Sequence, residues 1–157
     1  MKTSSKVAAS AAVITLACSF IQPWEGLWLV AKVDKIGTGR PVTVCYGETE
    51  GVKLGQRFTK QQCDEMLAKK LPRYAAEIAP CIKVPISEKT RAALISFAYN
   101  VGSAGACRST AFKRLNAGNT RGACDALMMW NKAGGRVVKG LTNRRAEERS
   151  LCLQGVL

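Results

Sequence analysis

Glu25 and Asp34 are two acidic residues nine positions apart in a chain that contains no histidine. Without imidazole, Ser-His-Asp and Cys-His hydrolysis and zinc sites built on His are excluded. Acid–base chemistry near neutral pH then falls chiefly to carboxylates, with Cys, Tyr and Lys as lesser candidates. A pair of carboxyl groups suits glycosidic bond cleavage when an apolar setting keeps one protonated and a solvated setting keeps the other charged. Trp24, Leu27 and Trp28 are the residues placed to desolvate Glu25. Spacing alone does not separate this arrangement from two solvated surface acids on a basic protein.

On one continuous helix the two acids would point to opposite faces, so they converge only if the chain reverses between them. Gly37, Gly39, Pro41 and Gly47 punctuate residues 33 to 49, and Val42, Thr43, Val44 and Tyr46 have strand character. That pattern predicts small antiparallel strands with tight turns. Trp24 to Lys32, with Pro23 near its first turn, reads as a short helix. Thr59 and Gln62 form a capping box opening a helix toward Ala79, in which Pro72 should introduce a kink. Ser87 caps a helix whose apolar face is Ala92, Leu94, Ile95, Phe97 and Ala98. Ser109 caps another that stops near Gly118. Further helices are expected over 121–130 and 143–153, with Gly134-Gly135 as a loop. The predicted fold class is α+β, a small N-terminal β element and a mostly helical lobe with the active-site cleft between them.

With 157 residues, 47% of them hydrophobic, the chain suits one compact catalytic domain. Lys and Arg number 24 against 11 acidic residues, a net charge of +13 spread along the chain, which favours a polyanionic partner. Nucleic acid and the bacterial envelope both qualify on charge. The seven cysteines are dispersed, with no C-x-x-C pair of the kind that holds zinc. Neither a metal nor an organic cofactor is expected. Such cysteines point instead to disulfides made in an oxidising compartment, with 15 connectivities open to any six of them. Cys18 is the odd one, inside an N-terminal apolar stretch. From Val7 to Trp24 no residue is charged, and Lys2 and Lys6 precede this run. Residues 1–22 therefore read as an export signal or membrane anchor and residues 23–157 as the catalytic domain. A lipoprotein processing site at Thr15-Leu16-Ala17-Cys18 is the lesser alternative.

Trp24-Glu25-Gly26-Leu27, then Asp34, then Thr43-Val44-Cys45-Tyr46-Gly47 resembles the N-terminal catalytic motif of glycoside hydrolase family 24, the phage lysozymes. Ser96-Phe97-Ala98-Tyr99-Asn100-Val101-Gly102 and Arg108-Ser109-Thr110 resemble the family's central helix and the loop after it. The run from Trp130 through Gly134-Gly135 and Arg144-Arg145 to Glu148 resembles its closing motif. The resemblance implies a lysozyme-like fold and an endolysin that hydrolyses the β-1,4 bond between N-acetylmuramic acid and N-acetylglucosamine in peptidoglycan, with inversion. It assigns Glu25 as general acid, Asp34 as the carboxylate that stabilises positive charge and helps position water, and Thr43 as the hydroxyl holding that water. Tyr99 and Asn100 would line the cleft, although Tyr99 equally suits a core position. Arg108, Ser109 and Thr110 would contact sugar or cap a helix. Two departures stand out. Eight residues separate Asp34 from Thr43, more than the family pattern, with Gly39-Arg40-Pro41 as the insertion. Glu48 stands where the family often has His, so any ion pair made by that His is lost or replaced. Arg144, Arg145, Glu147 and Glu148 read as a salt-bridged helix surface.

The layout also resembles signal-anchor-release endolysins. That implies an inner-membrane tether through the N-terminus, release into the periplasm of a Gram-negative host, and host cell lysis by a monomer that does not engage nucleic acid. The expected disulfides are Cys45–Cys63, Cys81–Cys107 and Cys124–Cys152, leaving Cys18 as a free thiol. Two rivals remain: a lytic transglycosylase acting on the same bond, and a basic envelope- or nucleic-acid-binding protein without activity.

Overall fold

The computed structural model describes residues 9–35, 39 and 41–156. Lys2, Lys6, Val7, Ala8, Gly37 and Arg40, which figured in the reading of the leader and of the turn, lie outside them. The described residues form two compact units, 18–70 and 9–17 with 71–156, and the chain changes unit within helices α1 (Ala11–Glu25) and α2 (Lys60–Ile78).

In the smaller unit, strand β1 (Trp28–Val33) pairs antiparallel with β2 (Val42–Cys45) in the register Trp28↔Cys45, Lys32↔Thr43 and Val33↔Val42, with a bulge between the first two pairs. The helix expected over Trp24–Lys32 is thus corrected. Its first residues end α1, Gly26 at φ +67 stops that helix, and the remainder is strand. Local propensity loses to pairing on both edges of β1. Opposite β2, Ala31 donates to the Gln56 carbonyl (2.8 Å), Gly55 to the Ala31 carbonyl (3.0 Å) and Phe58 to the Leu29 carbonyl (2.9 Å). Helix α2 opens on its capping box: Gln62 N–H donates to Thr59 Oγ1 (3.1 Å) and Thr59 N–H to Gln62 Oε1 (2.8 Å). It contains Pro72 and continues to Ile78. The Cys45–Cys63 disulfide, with Cα atoms 4.9 Å apart, ties β2 to its first turn.

The larger unit is helical around α3 (Glu88–Val101), which buries Ala92 through Ala98 and is capped by Ser87 through the Thr90 N–H (3.1 Å). Next come α4 (Ser103–Arg108), α5 (Thr110–Asn116) and α6 (Thr120–Ala126); α6 tightens into a 3-10 turn over Leu127–Met129, so the expected helix to Trp130 ends early. Around Gly134-Gly135, whose φ angles are +58 and +76, the chain makes a hairpin of β3 (Lys132–Ala133) and β4 (Arg136–Val137) where only a loop was expected. The last helix, α7 (Lys139–Gln154), starts earlier than residue 143 and packs on α3. Cys81–Cys107 and Cys124–Cys152 staple this unit.

The expected salt-bridged surface of α7 is also corrected. Glu147 is exposed, but Arg144 is 5% exposed and Arg145 and Glu148 are 0%. Contact with α3 supplies the polar partners that make such burial tolerable. Ser96 Oγ donates to Glu148 Oε2 (2.7 Å), Arg145 Nη2 donates to Asn100 Oδ1 (2.9 Å), and Arg145 Nε lies 2.7 Å from Glu148 Oε1 as a charge contact. Burial pulls the Arg145 pKa down, Glu148 pulls it back up, and neighbouring Arg144 adds to the lowering.

Candidate active site

Glu25 is the last residue of α1 and is half-buried. Beyond β1, half-buried Asp34 donates its N–H to the Pro41 carbonyl (2.8 Å), which closes the hairpin next to the Val33↔Val42 pair. Thr43 is buried on β2 across from Lys32. The three residues expected to act together therefore share one unit, and the chain reverses after Asp34, between it and Thr43.

After β2, Val44 and Glu48 exchange N–H···O bonds of 3.0 and 2.8 Å around a turn of Cys45, Tyr46 and Gly47. Cys45 has φ +58 and Gly47 φ +88, and the second is a conformation that favours glycine. A Cβ built on Gly47 would lie 4.0 Å from Glu25 Oε2, so this turn lies against the Glu25 carboxyl group. Its middle residue, Tyr46, is buried and donates its hydroxyl to Asp64 Oδ1 (2.5 Å). Burial, reinforced by the bond to Asp64 and its charge, pushes the Tyr46 phenol up to about 12. Hydrogen bonds from Lys60 and Tyr46 hold the Asp64 carboxyl below its ordinary range. Asp64 escaped the sequence reading because its one visible signal, Lys60 four residues earlier, is that of an ordinary helix-surface pair.

Glu48, at the position where the family often has His, lies 3.4 Å from Lys70 Nζ, so an ion pair is present there with different partners. Cys18 is buried and free. Burial, then the negative charge of Asp64, raises its thiol pKa.

Tyr99, Asn100, Arg108, Ser109 and Thr110 belong to the other unit. Tyr99 packs on Tyr74 with ring centroids 5.1 Å apart, and Asn100 accepts from Arg145. Ser109 is buried; its hydroxyl donates to the Ala106 carbonyl (2.6 Å) and accepts from Phe112 N–H (3.3 Å), the capping alternative of its two readings. Arg108 is exposed and Thr110 half-buried. Among the described residues no group of three or more His, Cys, Asp or Glu is placed to hold a metal ion.

Glu25 thus ends a helix, half-buried, and the hairpin that follows carries Asp34 and Thr43. The phage lysozyme family matches residues 22–148. The SAR-endolysin of Enterobacteria phage PA-2 is 43% identical over 132 residues, covering 83% of this chain and 78% of that protein. Among solved structures, the endolysin from Escherichia coli O157:H7 phage FAHEc1 superposes with a TM-score of 0.80 at 31% identity, covering 94% of each chain. A P22 lysozyme structure gives 0.78 at 30% identity, covering 92% of this chain and 97% of that one. The chain belongs to the phage lysozyme family. It has the α+β lysozyme-like fold and is a muramidase that acts on peptidoglycan.

Proposed function

We propose that Glu25 is the general acid of an inverting endolysin, with Asp34 and Thr43 serving the water. The observation that carries this reading is the placement of the Glu25 carboxyl against the turn that follows the Thr43 strand, within the unit that also holds Asp34. Glu25 gives its proton to the oxygen leaving C1 of N-acetylmuramic acid. Charge then develops on the sugar ring, and the Asp34 carboxylate stabilises it electrostatically. Thr43 hydrogen-bonds the water that enters from the opposite face, the Asp34 carboxylate takes the proton that water releases as its oxygen bonds to C1, and attack from that face produces inversion. The transglycosylase alternative uses no water and gives Asp34 and Thr43 no task.

Glu25→Gln is expected to fold and to lose cell-wall cleavage, because an amide has no proton to deliver to the leaving oxygen. Near-normal turnover of that variant overturns the assignment. Mass spectrometry of the digest should show reducing muramic ends, whereas 1,6-anhydro ends would establish the transglycosylase. Early NMR spectra should show the α-anomer as first product, and the β-anomer would refute inversion.

Export by a releasable N-terminal anchor, followed by action in the periplasm, completes the proposal. Several relatives bear the name SAR-endolysin, and no charge interrupts residues 7–24. No helix among the described residues is long and apolar enough to cross a membrane. Val13, Ala17, Cys18 and Ile21 of α1 are instead buried within the protein, so the same apolar side chains serve lipid before release and the protein core after it. Replacing Ala11, Ala12 and Ser19 with Leu should retain the protein on the membrane and delay lysis; lysis on schedule, with a mature protein starting after residue 17, removes the anchor. Cys18→Ser should remain active, since a thiol held protonated is a poor nucleophile for disulfide exchange.

A further inference from the structure

Asp64 is the meeting point of three elements of the smaller unit. Tyr46, in the turn after β2, donates its hydroxyl to Oδ1 at 2.5 Å. Gln22 of α1, one helical turn before Glu25, reaches the same oxygen with a long bond of 3.4 Å. Lys60, one turn earlier on α2, donates to Oδ2 at 2.7 Å. The adjacent residues Cys45 and Cys63 are joined covalently, so the turn is attached to α2 at two neighbouring points.

We propose that Asp64 is a positioning residue for the hydrolysis: its carboxylate fixes the helix end that bears Glu25 to the turn that supports the Glu25 carboxyl group. The proposal rests on Glu25 being the acid. Gly47 follows Tyr46 directly and is the residue whose Cβ position falls 4.0 Å from Glu25 Oε2. A shift of the Tyr46 ring therefore shifts the surface against which the acid lies. Proton transfer is sensitive to such shifts, since catalytic geometry must be held within about 0.5 Å. An ionised carboxylate suits this role because it accepts only, and both its oxygens are used here by donors. An amide at position 64 would turn its own N–H groups toward the Lys60 ammonium or the Tyr46 hydroxyl.

The test compares full-length Asp64→Ala, Asp64→Asn, Tyr46→Phe and the Tyr46→Phe/Asp64→Asn double variant on soluble, uncross-linked peptidoglycan strands, with melting followed in parallel. Gln61→Ala, on the exposed side of α2, is the control and Glu25→Gln the reference for lost acid. Asp64→Ala is expected to lower kcat roughly 10- to 100-fold with KM unchanged, the signature of a misplaced reacting group. Tyr46→Phe should lower kcat in the same direction, and the double variant should be no slower than Asp64→Asn alone, because both changes break one link. Wild-type kcat in folded Asp64→Ala, or additive losses in the double variant, overturns the positioning role. If Asp64→Ala does not fold, Tyr46→Phe decides: it keeps the ring, and unchanged kcat refutes the proposal. Glu25→Gln inactive beside fully active Asp64 variants removes Asp64 alone, whereas active Glu25→Gln removes the acid assignment beneath it.

Discussion

The two units use their polar groups differently. In the larger one, Ser96, Asn100, Arg145 and Glu148 pair with one another between α3 and α7. In the smaller one, Asp64 collects donors from α1, α2 and the turn after β2, and the first of these bears Glu25 while the last lies against it. The first network is an answer to burial and should govern stability. The second joins separate pieces of backbone beside the acid and should govern rate.

The disulfides test that contrast in both stability and rate. Cys45→Ala/Cys63→Ala opens a loop of 18 residues and should cost about 3 kcal/mol of stability, and folded molecules should also turn over slowly because the turn is freed. Cys124→Ala/Cys152→Ala opens 28 residues and should cost about 3.5 kcal/mol while folded molecules keep their kcat. Equal kcat for the two variants, measured after correcting for the unfolded fraction, breaks the comparison.

Glu148→Ala leaves Arg145 buried without its counter-charge and should cost about 3–5 kcal/mol, lowering the melting temperature roughly 6–20 °C. Lys60→Ala, which removes an exposed partner of Asp64, should cost no more than about 1 kcal/mol. Calorimetry giving similar losses for both would deny the larger unit its special dependence on a buried charge.

Two glycines sharpen the contrast at smaller energies. Gly47 has φ +88 and Gly118 has φ +85. Alanine at either should be strained by about 1–2 kcal/mol. Gly118→Ala has open space around its new Cβ and should keep normal turnover, whereas Gly47→Ala should turn over more slowly because its turn abuts Glu25. Identical kinetics would show that the turn does not support the acid.

The smallest effect is alkaline. The folded pKa of Tyr46 lies above its ordinary value, so its contribution is complete below about pH 10 and lost as pH rises through about 12. A phenolate absorbance titration should show one of the three tyrosines ionising near 12, and a Tyr46→Phe protein should lack that step. At the acid end the sign reverses. Asp64, depressed in the folded protein, stabilises it above the ordinary carboxyl pKa, and this is lost as pH falls through its lowered value.

Much of the helical structure was legible because its signals are local. Ser87, Ser109 and the Thr59/Gln62 box each satisfy backbone N–H groups within a few residues, and each starts a helix where expected. β1 was misread because its strand state depends on Val42–Cys45 and on residues 55–58, which no local window contains. Arg145 and Glu148 were misread for the same reason: their spacing is that of a surface pair, and only α3 makes them interior. Glu25, Asp34 and Thr43 were proposed from a motif, while Asp64 had no motif to point to it.

Strand β1 carries Leu29, Val30 and Val33, all exposed. A bare edge beside such side chains would invite strand addition by neighbouring copies and, at high concentration, fibre-like association. The bonds from residues 55–58 along one edge and from β2 along the other occupy that template. The short segment Gly55–Phe58 thus occupies edge groups that strand addition would use.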